Sequence, residues 1–298
     1  MRAQHQVLQS RRAVAFVSDT ACDLPDELVV QYAIGLVPTQ LIVDERAYLD
    51  RLELTPAEFF ARLRNGVAAS TSQPAPQAFA EAYADAARAA DHVIAVVLSK
   101  SLSGTYANAE AAARRFDAGR VSVVNSRSAS LGEGMLVLRG VELAAEGWAP
   151  EAIIRELDRV RAQSGGFFTV DTFDRLVRSG RLSRGKAWLG TKLNLKPVMA
   201  LTGDGAIEPV ARVRGSAGAR QRILDLLDKA LTVRTGGGLR LGVAHGDIPD
   251  FAEELRAELV ARYQPRQCLV SPITPVIAAH AGVGAWGVFY QREGGTNG

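Results

Sequence analysis

His92-Val-Ile-Ala-Val-Val-Leu98 is an apolar run that stops abruptly at Ser99-Lys-Ser-Leu-Ser-Gly-Thr105. It is far too short to span a membrane. An uninterrupted run of this length, rich in β-branched residues, reads as a strand buried on both faces, as in parallel sheets. The hydroxyl- and glycine-rich stretch after it opens a helix predicted from Ser103 or Gly104 through residue 115. Strand, polar turn and helix make half of a βαβ unit.

The same pattern extends outward in both directions. Upstream, AVAFVSD at 13–19 is a strand, and PDELVVQYA from Pro25 is a helix. Residues 34–43 form a second strand candidate, and 76–90 an alanine-rich helix. TPAEFFARLR at 55–64 has Thr55 as N-cap, Pro56 at the first helical position and Glu58 at the third, which is a capping box with a proline start. Downstream, 121–124 is a strand, 132–147 a helix ending at Gly147, and 150–163 an amphipathic helix that begins on proline. After 164 the rhythm changes. FFTVDTFDRLV is a strand running into a short helix, and KPVMALTGDGAIEPVARV is two strands around Gly203-Asp204-Gly205. Then follow a helix at 216–234, a break at TGGG (235–238), a strand in LRLGVAHGD and a helix at 249–264. CLVSPITPVIAAH and GVFYQ are closing strands. The fold class is therefore α/β with two α/β domains. Residues 13–163 carry a mostly parallel, doubly wound sheet, and 164–292 a mixed sheet with helices.

The 298 residues are 47% hydrophobic and 22% charged, which excludes wholesale disorder and supports a core that needs no staple. Two cysteines, Cys22 and Cys268, cannot build a disulfide framework or a four-cysteine zinc site. They suit a reducing compartment, and the polar start MRAQHQVLQSRR does not read as a secretory signal, so a cytoplasmic location is expected. The net charge is only +3, and only five of the 35 basic residues are lysine, a compositional bias rather than a nucleic-acid footprint. One local basic stripe stands out: Arg175, Arg178, Arg181, Arg184 and Lys186.

Four polar clusters sit at the ends of predicted strands, the edge where open α/β sheets bind ligands. They are Ser18-Asp19-Thr20, Ser70-Thr71-Ser72-Gln73, Ser99 to Thr105, and Asn125-Ser126 with Ser130, Gly132 and Gly134. Each alone is a helix cap. Together they suit a carboxylate or phosphate, because hydroxyls and free N–H groups at helix starts accept anions. Neither a phosphate-binding P-loop nor a G-x-S-x-G elbow occurs. His5 lies in the tail, and His92 and His245 read as structural. His280 differs because glycines surround its exit in His280-Ala-Gly-Val-Gly284. No spacing of ligands suggests a metal.

Six of these pieces recur in one order: S-D-T-x-x-D-L-P at 18–25, T-S-Q-P at 71–74, S-x-S-L-S-G-T-Y at 99–106, S-G-R-L-S at 179–183, Lys196-Pro197, and H-x-G-x-G at 280–284. In this the chain resembles the DegV family over roughly 13–290. The resemblance implies a FakB-like protein with a long-chain fatty acid held between or within two α/β domains. Such a carrier presents the acid to a separate fatty acid kinase, which phosphorylates the carboxyl group with ATP. It is not itself an enzyme, and it needs no cofactor beyond the bound acid. The resemblance places the carboxylate on Thr71, Ser103 and His280, with Ser72, Gly104, Thr105, Asn125 and Ser126 as possible support. Arg181 becomes a candidate for kinase docking. Asn125, Val283 and Thr20 stand where the family often has Asp, Pro and Ser. The apolar segments 167–170, 188–201 and 269–278 are available to line an acyl tunnel. Two other readings stay open: a hydrolase or acyltransferase using Ser103 with His280, and a regulator binding a phosphate ligand.

Overall fold

The structure is a computed structural model that describes residues 12–116, 119–171, 173–182, 195–231 and 238–294. In chain order the first half forms β1 (Arg12–Asp19), α1 (Asp26–Tyr32), β2 (Gly35–Val37), β3 (Gln40–Val43), β4 (Arg46–Leu49), α2 (Pro56–Arg64) and β5 (Ala69–Ser72). It continues through α3 (Pro76–Ala89), β6 (Ala90–Val97), α4 (Thr105–Arg115), β7 (Val121–Asn125), α5 (Leu131–Ala145) and α6 (Pro150–Arg161). The second half adds β8 (Gly165–Thr169), α7 (Asp174–Arg178), β9 (Leu195–Leu201), β10 (Ile207–Arg214), α8 (Gly215–Leu231) and β11 (Leu239–His245). It closes with α9 (Pro249–Tyr263), β12 (Gln267–Pro272), α10 (Pro275–Ala281) and β13 (Trp286–Arg292).

The strands β2-β1-β6-β7 make an all-parallel sheet, and β10-β9-β8-β13-β11-β12 a mixed one in which only β11 and β12 run parallel. Both sheets are buried on both faces, as the continuous apolar runs require. In the parallel sheet, Val17, Val93 and Val97 meet Phe79 and Tyr83 of α3 and Ala109 of α4. Their neighbours Phe16, Ile94 and Val96 face the opposite side, the period-two alternation of a strand. That opposite side is covered by α5, which also packs on β11 and β13 of the mixed sheet. The far face of the mixed sheet is covered by α8 and α9 through Ile223, Leu227, Leu255 and Leu259. The layers thus run helix, sheet, helix, sheet, helix. Helix α5, caught in the middle, is apolar almost all round, as a buried helix must be.

Gly134 shows why this middle layer needs small residues. A Cβ there would lie 2.5 Å from the carbonyl oxygen of Cys22. The Gly132 and Gly134 pair, read from sequence as part of an anion site, therefore serves close packing of α5. The capping box of α2 is present: Thr55 Oγ1 accepts from the Glu58 N–H at 3.3 Å, and Glu58 accepts from the Thr55 N–H at 3.0 Å.

Three expectations are corrected. Residues 34–43 are not one strand, because Pro38 breaks them into β2, in the parallel sheet, and β3, in a separate antiparallel sheet β4-β3-β5. The Ser70–Ser72 cluster is itself strand β5 of that small sheet, not a turn on the parallel-sheet edge. The run CLVSPITPVIAAH is a strand followed by a helix, since Thr274-Pro275 starts α10 and His280 rides on that helix. The TGGG break (apart from Gly238), Arg184, Lys186, His5 and residues 188–194 lie outside the described residues. Among the described residues, no helix is long and apolar enough to cross a membrane.

Candidate functional site

A cavity of about 940 Å³, its mouth included, opens where the small sheet, the parallel-sheet edge, α10 and the mixed sheet converge. Its lining is apolar over most of its length: Leu98, Leu102, Phe168, Leu201, Ile273, Val276, Trp286 and Phe289 are among the wall residues. One polar group comprises Thr71, Ser72 and Gln73 of β5 and its exit, Ser103 of the loop after β6, His280 of α10, and Arg181; Thr39, Ser130 and Thr169 also line the wall, the last two with their hydroxyls bonded to Asp23 and the Pro197 carbonyl. The space is thus amphipathic, with a polar head and a long apolar body.

The three residues expected to hold a carboxylate converge on that head. Thr71 Oγ1 lies 2.9 Å from His280 Nε2, across 209 residues of sequence. Ser103 Oγ lies 2.9 Å from Thr105 Oγ1 and accepts from the Thr105 N–H at 3.2 Å. Ser72 lines the cavity, and Gly104 lets the Gln73 amide come close, since a Cβ there would sit 2.9 Å from Gln73 Nε2. Arg181 is tied down by donating to the carbonyls of Leu102 at 3.3 Å and Ser179 at 2.6 Å. Its guanidinium brings one positive charge to the polar end.

Burial first, and the Arg181 charge second, push His280 down to about 4. The imidazole is therefore neutral near pH 7 and works as a hydrogen-bonding group, with its buried Nδ1 unpartnered among the described residues. Ser103 and His280 bond to different residues, and no carboxylate among the described residues bonds the ring, so these two side chains are not assembled as a Ser-His-acid triad. No group of three or more His, Cys, Asp or Glu side chains among the described residues is placed to hold a metal ion.

Other sequence candidates fall elsewhere. Asn125 accepts from the N–H groups of Lys100 at 3.2 Å and Arg127 at 3.1 Å, and Ser126 exchanges hydrogen bonds with the Ser128 backbone. Both shape the loop after β7 and lie outside the cavity lining. Asp19 closes the β1 edge by accepting from Leu98 N–H at 2.8 Å and Ala21 N–H at 3.0 Å. His92 pairs with Ser122 at 3.0 Å, and His245 accepts from the Ile248 N–H at 3.3 Å, which makes both structural.

Sequence reasoning missed a group of buried acids behind the site. Asp23 accepts from the Thr274 N–H at 2.8 Å and from the Ser130 hydroxyl at 2.5 Å. Asp50 accepts from the Val276 N–H at 3.3 Å. Both therefore fix the start of α10, the helix that carries His280. The available signal was Asp23 within S-D-T-x-x-D; Asp50 sits in a polar stretch that reads as loop. Burial pushes Asp23 up to about 6 and Asp50 up to about 7, and raises Glu133 well above its usual range.

From about pH 4 to 7 the folded chain holds protons on Asp23 and Asp50 that the unfolded chain has released, so these groups make stability fall as pH rises. His280 works the other way over about pH 4 to 6.5, because its folded value is depressed. A difference measurement separates them. Asp50→Asn should gain several degrees of Tm relative to the parent on going from pH 5 to pH 7.5. An unchanged gap would show that Asp50 is ionised throughout.

The family model described as "Uncharacterised protein, DegV family" matches residues 13–293. A DegV domain-containing protein of Caldanaerobacter subterraneus subsp. tengcongensis is 33% identical over 280 residues, covering 94% of this chain and 99% of the relative. A solved DegV family protein from Thermus thermophilus, described by its fatty acid binding, is 39% identical with a TM-score of 0.87, covering 94% of this chain and 99% of that one. DegV from Bacillus subtilis, described as a fatty acid binding protein, is 30% identical with a TM-score of 0.84 over the same shares of the two chains.

Proposed function

Because this chain belongs to the DegV family, we propose that it binds a long-chain fatty acid and presents its carboxylate to a separate fatty acid kinase. The observation that carries this is the mostly apolar cavity whose wall includes Thr71, Ser103, His280 and Arg181. The hydroxyls of Thr71 and Ser103 donate to the carboxylate. Because Thr71 has one hydroxyl proton to give the carboxylate, neutral His280 donates its Nε2–H to Thr71 Oγ1 and so fixes the direction of that hydroxyl. The Arg181 charge offsets the carboxylate, and the apolar body takes the acyl chain out of water, a gain of about 0.8 kcal/mol per methylene. The fatty acid binding in the printed descriptions of the Thermus and Bacillus proteins supports the ligand class. The chain itself acts as a carrier and not as a catalyst. The kinase transfers a phosphoryl group from ATP to the presented carboxylate, giving acyl phosphate and ADP. Arg181, partly exposed at the cavity's polar end, is the side chain on which such a partner would dock.

Native mass spectrometry of freshly purified protein tests the binding step. The expected result is one bound species of fatty acid mass near unit stoichiometry. A chain that stays empty after addition of oleate and palmitate overturns the reading. For the carrier role, protein loaded with oleate and given ATP should release no ADP until a fatty acid kinase is added. ADP release by the chain alone would make it an enzyme.

A further inference from the structure

A second open space of about 1070 Å³ lies beside the first, lined by Ser126, Gly132, Arg161, Gly165, Gly166 and Tyr290 among others. Leu201 lines both spaces. Phe289 lines only the first, yet its ring rests on two glycines of the second. A Cβ at Gly166, which pairs with Phe289 across β8 and β13, would lie 2.6 Å from Phe289 Cδ1. A Cβ at Gly132 would lie 2.8 Å from the same atom. The ring therefore occupies the room that two missing side chains leave, and it stands between an apolar cavity and a partly polar one.

Accepting the fatty acid reading, we propose that Phe289, seated on Gly132 and Gly166, is the end wall that sets the upper limit of acyl-chain length. The space behind it is room that a longer chain enters only when the ring is removed. A chain that ends short of the ring gains about fourfold in affinity for each further methylene it buries. The carbon that meets the ring gains nothing and must displace a side chain packed at core density. Affinity against length should thus climb and then break.

The wall makes two substitutions act in opposite directions, which general destabilisation cannot do. Phe289→Ala joins the two spaces and should move the preferred length up by several carbons, with Phe289→Leu moving it less and in the same sense. Gly166→Ala forces the ring away from the second space and into the first, so the preferred length should fall. Gly165→Ala is the control, because a Cβ there meets the Tyr290 hydroxyl and not Phe289; its profile should match the parent. The readout is native mass spectrometry after incubation with an equimolar ladder of saturated acids from lauric to behenic, with thermal melts to confirm folding. If the parent chain takes up nothing from the ladder and stays empty with oleate as well, the fatty acid reading fails. If the parent shows a defined optimum that neither Phe289→Leu nor Gly166→Ala moves, the wall is not Phe289.

Discussion

Replacing Thr71 with valine and Ser103 with alanine in one chain should lower its affinity for oleic acid by about 10²–10⁴-fold. Each removed group is a hydrogen-bond donor to a charged oxygen, worth about 1.5–3 kcal/mol, and the two act on one carboxylate. Valine keeps the branched shape that β5 packs, so the strand stays paired with β3. Some stability is lost because His280 Nε2 loses its partner at 2.9 Å. Oleyl alcohol separates that structural effect from ligand recognition. The parent should prefer the acid to the alcohol strongly, and the double variant should keep only the weaker preference that Arg181 supplies. Equal losses for acid and alcohol would place the carboxylate away from Thr71 and Ser103.

The largest stability effect should come from Arg240→Ala, which ought to cost about 3–5 kcal/mol, the usual consequence of breaking a buried ion pair. Arg240 is fully buried at the start of β11. It donates to the Met135 carbonyl of α5 at 3.1 Å, meets Glu293 at 3.1 Å, and is paired with Glu142. Arg266 joins the same two acids at 2.5 and 2.6 Å. The side chain thus ties the middle helix to the mixed sheet. Removing it leaves Glu293, 3% exposed, without its buried counter-charge. A fall in Tm of roughly 10 °C is expected for a chain of this size. Arg240→Lys keeps the charge but not the fork, and should fall between parent and alanine. A Tm shift below about 2 °C for alanine would mean that solvent or Arg266 compensates fully.

Which parts of this were legible beforehand follows from where apolar residues sit. Strands β1, β6 and β11 are each built on an apolar run, at 13–17, 93–98 and 241–244, bounded by polar residues, and such runs identify themselves. The β9–β10 hairpin announced itself through Gly203-Asp204-Gly205, with Gly205 at a φ of +81° that favours glycine. The small sheet did not. Its strand β5 is Ala-Ser-Thr-Ser, whose pairing is made by backbone groups with no apolar alternation to betray it. Helix α10 was hidden for the opposite reason: Pro-Val-Ile-Ala-Ala-His-Ala is apolar on every side, and periodicity cannot tell a short buried helix from a buried strand. Thr274-Pro275 is its one start signal, a threonine N-cap followed by proline at the first helical position. For the site, family resemblance selects Thr71, Ser103 and His280; of the acids that anchor α10, Asp23 lies in the S-D-T-x-x-D-L-P piece with no role attached to it, and Asp50 lies in a polar stretch that reads as loop.

Thr71 and His280 meet across 209 positions, so the head of the cavity exists only when an early strand and a late helix are both in place. On the fatty acid reading, an occupied cavity works as a rivet between the two ends of the chain. By mass action, ligand at a hundred times its dissociation constant adds about 2.7 kcal/mol to the folded state. Loaded protein would then outlive empty protein wherever proteases sample opened chains. The amount of carrier in a cell would follow its lipid supply with no dedicated regulator, through lifetime alone.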